Sequence, residues 1–165
     1  MTQIPEIEFE HDDFEFETMA EELRVDERCQ MILKKFYLFL QQHGVPAEQA
    51  SELAFSADLY LRDYLIDFGR LNIVRPQPGI VKKFAASWFI THTLDPEIEL
   101  LERHLTAVAE LYRYLHHQHL ISAVELTFIL QEAGELEYYR QRINSFTELG
   151  GDGFEAWDVA CPTIF

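Results

Sequence analysis

A chain of 165 residues is long enough to bury a core of its own, and its formal charge of −16 comes from 29 acids against 13 bases. Because 48% of the residues are apolar and thirteen are Phe, disorder of the whole chain is excluded. A negative field of this size repels nucleic acid and anionic membranes, and it favours either solubility or basic partners. No apolar run reaches the roughly 20 residues of a membrane span, and we expect no membrane association.

The first 22 residues carry nine carboxylates and neither Lys nor Arg, which excludes a signal peptide. Phe9, Phe14 and Phe16 alternate with the acids, and a period of two would also fit a short strand. The charge density argues against independent folding. We therefore predict an acidic arm over 1–22, which is either solvated or held on the body by its aromatic residues. We also predict a cytoplasmic protein.

The chain contains two cysteines, Cys29 and Cys161, which are far apart in sequence. Zinc sites usually show close pairs of cysteines, and secreted disulfide scaffolds usually carry more of them. We predict two reduced thiols, with Cys29 on the apolar face of a helix.

Helical periodicity begins at Asp26. Apolar residues at steps of three and four predict an amphipathic helix over 26–43, which Gly44 ends by taking a left-handed conformation. Pro46 begins a second helix, which runs to Gly69.

Residues 70–79 contain two prolines and a glycine and are predicted to be the main internal connection. A third, shorter helix follows over about residues 80–93. Asp95 and Pro96 then predict the start of a fourth helix, with an N-cap acceptor followed by proline. Because this helix is apolar on two faces, we place it at the centre of a bundle.

Ser122 and Glu125 form a capping box for a fifth helix, which we predict to end near Gly150 and to be weakened in the middle by Gly134. The remaining residues, 150–165, are predicted to be an irregular tail. The predicted fold is thus an all-α bundle of about five helices over residues 23–149, with the acidic arm before it and the tail after it.

Two helix ends are similar in sequence. Residues 36–43 resemble residues 111–118 at an offset of 75 positions, and each stretch leads into a new helix start. The similarity is either a chance likeness of aromatic helix ends or the trace of two related helical hairpins.

Residues 29–121 resemble the core-binding domain of tyrosine recombinases (phage integrases), a small SAM-like four-helix bundle. The likeness rests on the aromatic helix end before Gly44, the long helix after Pro46, a short helix from Phe84 to Phe89, and the aromatic end of the fourth helix. The last two features also resemble those of uncharacterised stand-alone bacterial and archaeal relatives of this domain. The resemblance implies a SAM-like arrangement of the first four helices. The recombinase catalytic domain, with its Arg-His-Arg-Tyr set, is absent.

The resemblance also implies that the second and fourth helices present basic residues to DNA. Residues 46–69 carry five carboxylates against Arg62 alone, and residues 97–118 carry four against Arg103 and Arg113. Because each phosphate contact needs a cation, we expect no nucleic-acid partner for these helices as they stand.

Three histidines, His116, His117 and His119, form the densest group of potential ligands, and His104 lies too far along the helix to join them. A metal site needs three or four converging ligands, whereas a helix C-terminus favours protonated histidine without any metal. We therefore expect no metal and no other cofactor.

All four lysines occur in two pairs near aromatic positions. They are either solvated helix faces with acidic neighbours or one basic spot on an acidic body. The candidate partner surface combines them with the aromatic residues of the arm: Lys34, Lys35, Lys82, Lys83, Phe9, Phe14 and Phe16.

No serine lies in a Gly-x-Ser-x-Gly turn, and no histidine stands beside a serine in sequence. We predict a non-enzymatic helical interaction or adaptor module that binds a protein partner or its own copy. One alternative is a nucleic-acid-associated protein derived from a recombinase core-binding domain. Another is an enzyme assembled from scattered residues, which a deep polar pocket joining either His104 or the group of His116, His117 and His119 to carboxylates would favour.

Overall fold

The computed structural model describes residues 8–149 and 153–160, and all regular structure within them is helical. The prediction of an all-α bundle is confirmed, with seven helices rather than five after a short 3-10 turn, His11–Phe14. None of these helices combines the length and the apolar character that a membrane span requires. The helices are α1, Met19–Gln42; α2, residues 47–68; α3, residues 80–92; α4, Ile98–His117; α5, Ala123–Ala133; α6, Leu136–Thr147; and α7, Gly153–Val159. In α2, the α-helical segment Ala47–Asp58 continues as a π-helix, Leu59–Phe68. The centre of α3, Phe84–Trp88, is also π-helical.

Helix α4 lies at the centre of the bundle, as its two apolar faces predict. It packs mainly against α2 and α5, and less extensively against α1 and α6. Leu101, Val108 and Leu111 are fully buried along it. Its start differs from the prediction, because Glu97 rather than Asp95 is the residue before the first helical turn.

Helix α1 begins seven residues earlier than predicted. Thr18 and Glu21 form a capping box, in which the Thr18 hydroxyl accepts from the Glu21 backbone N–H and the Glu21 carboxylate accepts from Thr18. Glu21 and Glu22 lie in the first turn, where carboxylates interact favourably with the helix dipole. The last residues of the predicted acidic arm therefore belong to the bundle.

The rest of the described arm lies against the body and forms the 3-10 turn rather than a strand. Phe14 is completely buried, and Phe9 packs edge-on against it at 5.3 Å between ring centroids. Arg75 forms ion pairs with Asp12 and Glu15. The arm is thus attached by both aromatic and ionic contacts.

The predicted fifth helix is two helices, α5 and α6. Its capping box, Ser122 with Glu125, is confirmed. The first of these helices ends at Gly134, which is the C-cap of α5. The Tyr139 hydroxyl then donates to the carbonyl of Glu132 at 2.6 Å, which joins α6 to the end of α5. Because glycine is a poor helix former, the break falls where the sequence shows its weak point.

Part of the predicted irregular tail is helical. In α7, Trp157 is buried, and its ring lies 3.8 Å from the Arg142 guanidinium carbon. Arg142 also donates to the Trp157 carbonyl at 2.6 Å, and the Trp157 indole donates back to the Arg142 carbonyl at 3.1 Å. The two residues attach α7 to α6.

The similar ends of α1 and α4 have the same backbone geometry. The Val45 N–H donates to the Leu40 carbonyl at 3.0 Å, and the Leu120 N–H donates to the Leu115 carbonyl at 2.9 Å. The residue before each donor has a positive φ, 89° at Gly44 and 62° at His119. Both are Schellman ends, so the sequence similarity corresponds to a shared local structure.

Candidate functional site

A groove of about 940 Å³ lies between the first halves of α2 and α4. Ala50 and Ala57 of α2 are fully buried, and such short side chains let a neighbouring helix approach closely. Larger side chains then flank the contact, with half-buried Leu53 and Leu100 forming apolar walls. A volume of this size is typical of binding sites in proteins, for which pockets run from about 300 to 1,000 Å³.

Phe55 is the aromatic residue of this groove, and 75% of its surface is exposed. Single exposed apolar residues are common on protein surfaces and need no explanation. Phe55 differs from them because it lines a concave site whose walls are also apolar. Such a residue provides an anchor for an apolar partner group.

The rim of the groove is acidic. Glu52, Glu99 and Glu102 are exposed side chains of the groove, and Arg103 is the cation among its lining residues. The rim therefore repels phosphate and attracts basic groups.

The floor of the groove contains a buried polar pair, His104 and Ser56. The His104 Nδ1 and the Ser56 Oγ are 2.9 Å apart and hydrogen bonded. The His104 ring packs edge-on against Phe89, with 5.6 Å between ring centroids. Burial, together with the charge of Arg103, lowers the pKa of His104, so the imidazole is neutral at physiological pH.

A hydroxyl bonded to a neutral imidazole is an arrangement that also occurs in nucleophilic catalysis. Catalytic pairs usually have a third group that orients the base. Within the described residues, the Nε2 atom of His104 has no hydrogen bond to a carboxylate or to any other group. The bond therefore pairs the Ser56 hydroxyl with one nitrogen of His104, and the described residues supply no third member of a triad.

The structure places the two lysine pairs beside different elements. Lys35 is half-buried and faces the end of α4, while Lys34 is exposed. The Lys82 ammonium lies 3.3 Å from the Glu135 carboxylate and 4.9 Å from the centre of the Tyr138 ring. Lys83, which follows it, is half-buried on α3. Lys35 and Lys82 therefore have different neighbours.

The three aromatic residues of the arm differ in accessibility. Phe14 is completely buried in the core, so it is not accessible to a partner. Phe9 and Phe16 are half-buried against the core, and the Arg70 guanidinium lies 4.8 Å above the Phe16 ring. The partner surface predicted on the arm is thus largely used in holding the arm to the bundle.

The histidine group stands at the end of α4, with His116 and His117 in its last turn. No group of three or more His, Cys, Asp or Glu side chains within residues 8–149 and 153–160 has the geometry of a metal site. Cys29 is buried, and burial raises the pKa of its thiol to about 12, which makes it unreactive. Cys161 lies outside the described residues.

Sequence reasoning missed the groove. Phe55 lies outside the buried face of α2. An apolar residue on the polar face of a helix is the one local feature that indicates the groove. The neighbours of Phe55 across the groove, such as Glu99 and Leu100, come from a helix more than 40 positions later. No pattern within α2 alone connects these residues.

No family model matches the chain, and no curated protein or solved structure matches it either. The function is therefore argued from the site itself. The fold and the groove describe an acidic all-helical bundle with an open, partly apolar groove.

Proposed function

We propose that this protein is a non-enzymatic helical interaction module, and that its α2–α4 groove binds a helix of a protein partner. The observation that carries the proposal is Phe55, which is 75% exposed in an apolar groove with an acidic rim. The partner segment is an amphipathic helix with an apolar face for the groove and basic residues for the rim.

The shape of the groove favours a helix over other peptide conformations. Two antiparallel or crossing helices leave a furrow that an amphipathic helix fills with residues spaced three and four apart. Addition of a strand needs the open edge of a sheet, and the described residues contain no strand. Phe55 and Leu100 supply the apolar surface that such a helix covers.

The charge favours a basic partner over a second copy of this chain. The carboxylates of Glu52, Glu99 and Glu102 attract lysine and arginine side chains, which increases the association rate. A second copy brings its own acidic rim and a charge of −16, and juxtaposed like charges are unfavourable. A heterotypic complex is therefore the proposed assembly.

The experiment measures binding of a fluorescein-labelled synthetic helix of leucine, alanine and lysine by fluorescence anisotropy. A scrambled peptide of the same composition, which has no apolar face, is its control. We expect the amphipathic peptide to bind at least tenfold more tightly than the scrambled one, because charge alone attracts both equally.

Two variants test the site itself. Phe55→Ser removes the aromatic anchor, and we expect it to weaken binding of the amphipathic peptide at least tenfold. Val124→Ser is the matched control, because Val124 is 76% exposed on α5 and lies outside the groove. Equal affinities of the two peptides, or equal losses in the two variants, contradict the proposal.

Binding of nucleic acid is the alternative that the recombinase resemblance brings. Arg62 of α2 is already paired with Asp58 and Asp26, which leaves still less positive charge on that helix. We expect no affinity for duplex DNA at low salt, measured by the same anisotropy method. Affinity at low salt that falls steeply at moderate salt would favour this alternative over the protein partner.

Hydrolysis is the second candidate, and the 2.9 Å contact between Ser56 and His104 favours it. Ser56 lies inside α2, where the backbone N–H groups are used by the helix and none is free to stabilise an oxyanion. We therefore expect 4-nitrophenyl acetate to be cleaved at the same rate by the native protein and by Ser56→Ala. A loss of cleavage in the variant would support the enzyme instead.

A further inference from the structure

The floor of the α2–α4 groove contains a polar group that the fold leaves without a partner. His104 is only 6% exposed, and its Nδ1 atom lies 2.9 Å from the Ser56 Oγ atom. Within the described residues its second nitrogen, Nε2, forms no hydrogen bond. Nε2 is not among the fully enclosed unpaired atoms of those residues, and His104 lines the groove. The Nε2 atom is therefore accessible from the groove.

The ring of His104 is held in place by aromatic neighbours as well as by Ser56. It packs edge-on against Phe89 at 5.6 Å and against Phe84 at 6.5 Å between ring centroids. Both phenylalanines are buried, and the bond to Ser56 fixes one of the two ring nitrogens. The other nitrogen therefore has a defined position in the floor of the free groove. A few polar groups placed in this way within an apolar site determine which ligand it accepts.

The hydrogen-bond pattern assigns the imidazole proton to Nε2. Burial lowers the pKa of His104, so the ring is neutral at physiological pH and carries one N–H. Hydroxyls within helices often donate to a carbonyl one turn earlier, as those of Thr106 and Thr127 do. Ser56 has no such bond within the described residues, so the acceptor for its hydroxyl proton is His104 Nδ1. Nδ1 is then unprotonated, and the Nε2–H group is a donor open to the groove.

We propose that the helix bound in the α2–α4 groove carries a side-chain amide, from glutamine or asparagine, on its apolar face, and that the amide oxygen accepts a hydrogen bond from His104 Nε2. This inference rests on the proposed function, because it specifies the ligand of the same groove. An apolar ligand residue over His104 would displace water from the N–H and leave the donor unpaired, which is unfavourable. His104 therefore fixes the register of the bound helix, as a single buried polar residue does in coiled coils.

The charge of the rim favours a neutral acceptor over a carboxylate. Glu52, Glu99 and Glu102 line the same groove as His104, and a ligand carboxylate would be repelled by them. The amides of glutamine and asparagine supply a carbonyl oxygen without a charge. Their NH₂ groups are donors, which are compatible with acidic surroundings. The ligand that matches both floor and rim is therefore a basic amphipathic helix with one amide on its apolar face.

Fluorescence anisotropy of the full chain tests the proposal with the leucine, alanine and lysine helix and with a series in which glutamine replaces one leucine at a time. Selectivity is the affinity for a glutamine peptide divided by the affinity for the leucine peptide. It is measured for the native protein and for His104→Phe, which keeps an aromatic ring but has no N–H. At one position of the series, we expect selectivity to be roughly fivefold or more higher in the native protein.

Val124→Ser is the matched control, because Val124 is exposed on α5 outside the groove, and we expect the selectivity of the native protein. Equal selectivity of the native protein and His104→Phe at every position overturns this inference, while binding of the leucine peptide leaves the proposed function intact. Failure of every peptide to bind contradicts the proposed function, and this inference with it.

A second variant and a measurement on the native protein guard against misfolding of His104→Phe, which leaves the Ser56 hydroxyl unpaired. Ser56→Ala combined with His104→Phe removes both partners of the bond, and we expect the same loss of selectivity from it. Nitrogen-15 NMR of the histidine side chains identifies the tautomer of His104 without any substitution. We expect the proton on Nε2, and a proton on Nδ1 instead would overturn the proposal.

Discussion

At the scale of single residues, the core contains buried polar groups that form hydrogen bonds with one another. The hydroxyls of Tyr60 and Tyr112 are 2.9 Å apart, and both residues are completely buried. Burial raises the pKa of both phenols, which therefore stay neutral. A buried hydroxyl with one partner contributes little net stability, but removal of that partner leaves an unpaired polar group in the core.

This pair gives the first prediction. Tyr60→Phe leaves the Tyr112 hydroxyl unpaired, and we expect it to lower the free energy of unfolding by about 1–2 kcal/mol. The double variant, Tyr60→Phe with Tyr112→Phe, removes both hydroxyls and is expected to cost less than the sum of the two single changes. A double-mutant cycle measured by urea unfolding checks this, and strictly additive effects would contradict it.

His104 gives a second prediction, which concerns pH. Its folded-state pKa lies below the ordinary value of 6.5, because burial and Arg103 disfavour the imidazolium. The unfolded chain therefore binds a proton more readily, and stability falls as the pH decreases below about 6.5. The slope from this single proton does not exceed about 1.4 kcal/mol per pH unit.

The measurement compares the native protein with His104→Gln by urea unfolding between pH 8 and pH 5. Gln keeps a hydrogen-bond partner for Ser56 but does not titrate. We expect the native protein to lose more stability than the variant as the pH falls. Parallel pH profiles would show that His104 is not the group responsible.

At the scale of elements, α5 and α3 are joined by a buried carboxylate. The Glu132 oxygens accept from the backbone N–H groups of Gly79 at 3.0 Å and Lys82 at 2.9 Å. These groups belong to the first turn of α3, where backbone N–H groups have no partner within the helix. Glu132 of α5 therefore acts as the N-terminal cap of a helix about 50 positions earlier.

The third prediction follows from this cap. Glu132→Gln keeps the size but removes the charge and one acceptor, and we expect it to cost about 1–3 kcal/mol. Hydrogen exchange of the Gly79 and Lys82 amides is expected to become faster. Glu137→Gln is the control, since Glu137 is an exposed acid on α6, and we expect it to change stability by no more than about 0.5 kcal/mol. Equal effects of the two changes would argue against the capping role.

At the scale of the whole molecule, the acidic arm is part of the folded body. Phe14 is enclosed in the core, and the Asn72 side-chain amide donates to the His11 carbonyl and to the Glu15 carboxylate, both at 2.9 Å. With Arg75 also paired to the arm, part of the dense negative charge of residues 8–15 is neutralised by cations of the bundle.

The fourth prediction tests whether the arm contributes to stability. Phe14→Ala removes a completely buried ring, and we expect it to lower the free energy of unfolding by about 3 kcal/mol. Phe55→Ala is the matched control, because Phe55 is exposed, and we expect a change within about 0.5 kcal/mol. Urea unfolding measures both. An effect of Phe14→Ala below about 1 kcal/mol would show that the arm is a surface attachment.

The sequence by itself determined the features that depend on residues a few positions apart. The helical periods, the left-handed stop at Gly44 and the capping box of Ser122 and Glu125 all follow from local hydrogen bonds and from side chains on one helix face. The weak point at Gly134 was also visible, although the local pattern did not show that one helix would end there and a second begin at Leu136.

Only the tertiary structure decided the sites. The groove joins α2 to α4, and the Glu132 cap joins α5 to α3. The Ser56–His104 contact spans 48 positions, and the Tyr60–Tyr112 contact spans 52. Local patterns establish that each helix has a buried face, but the partner of that face depends on how all the helices pack together.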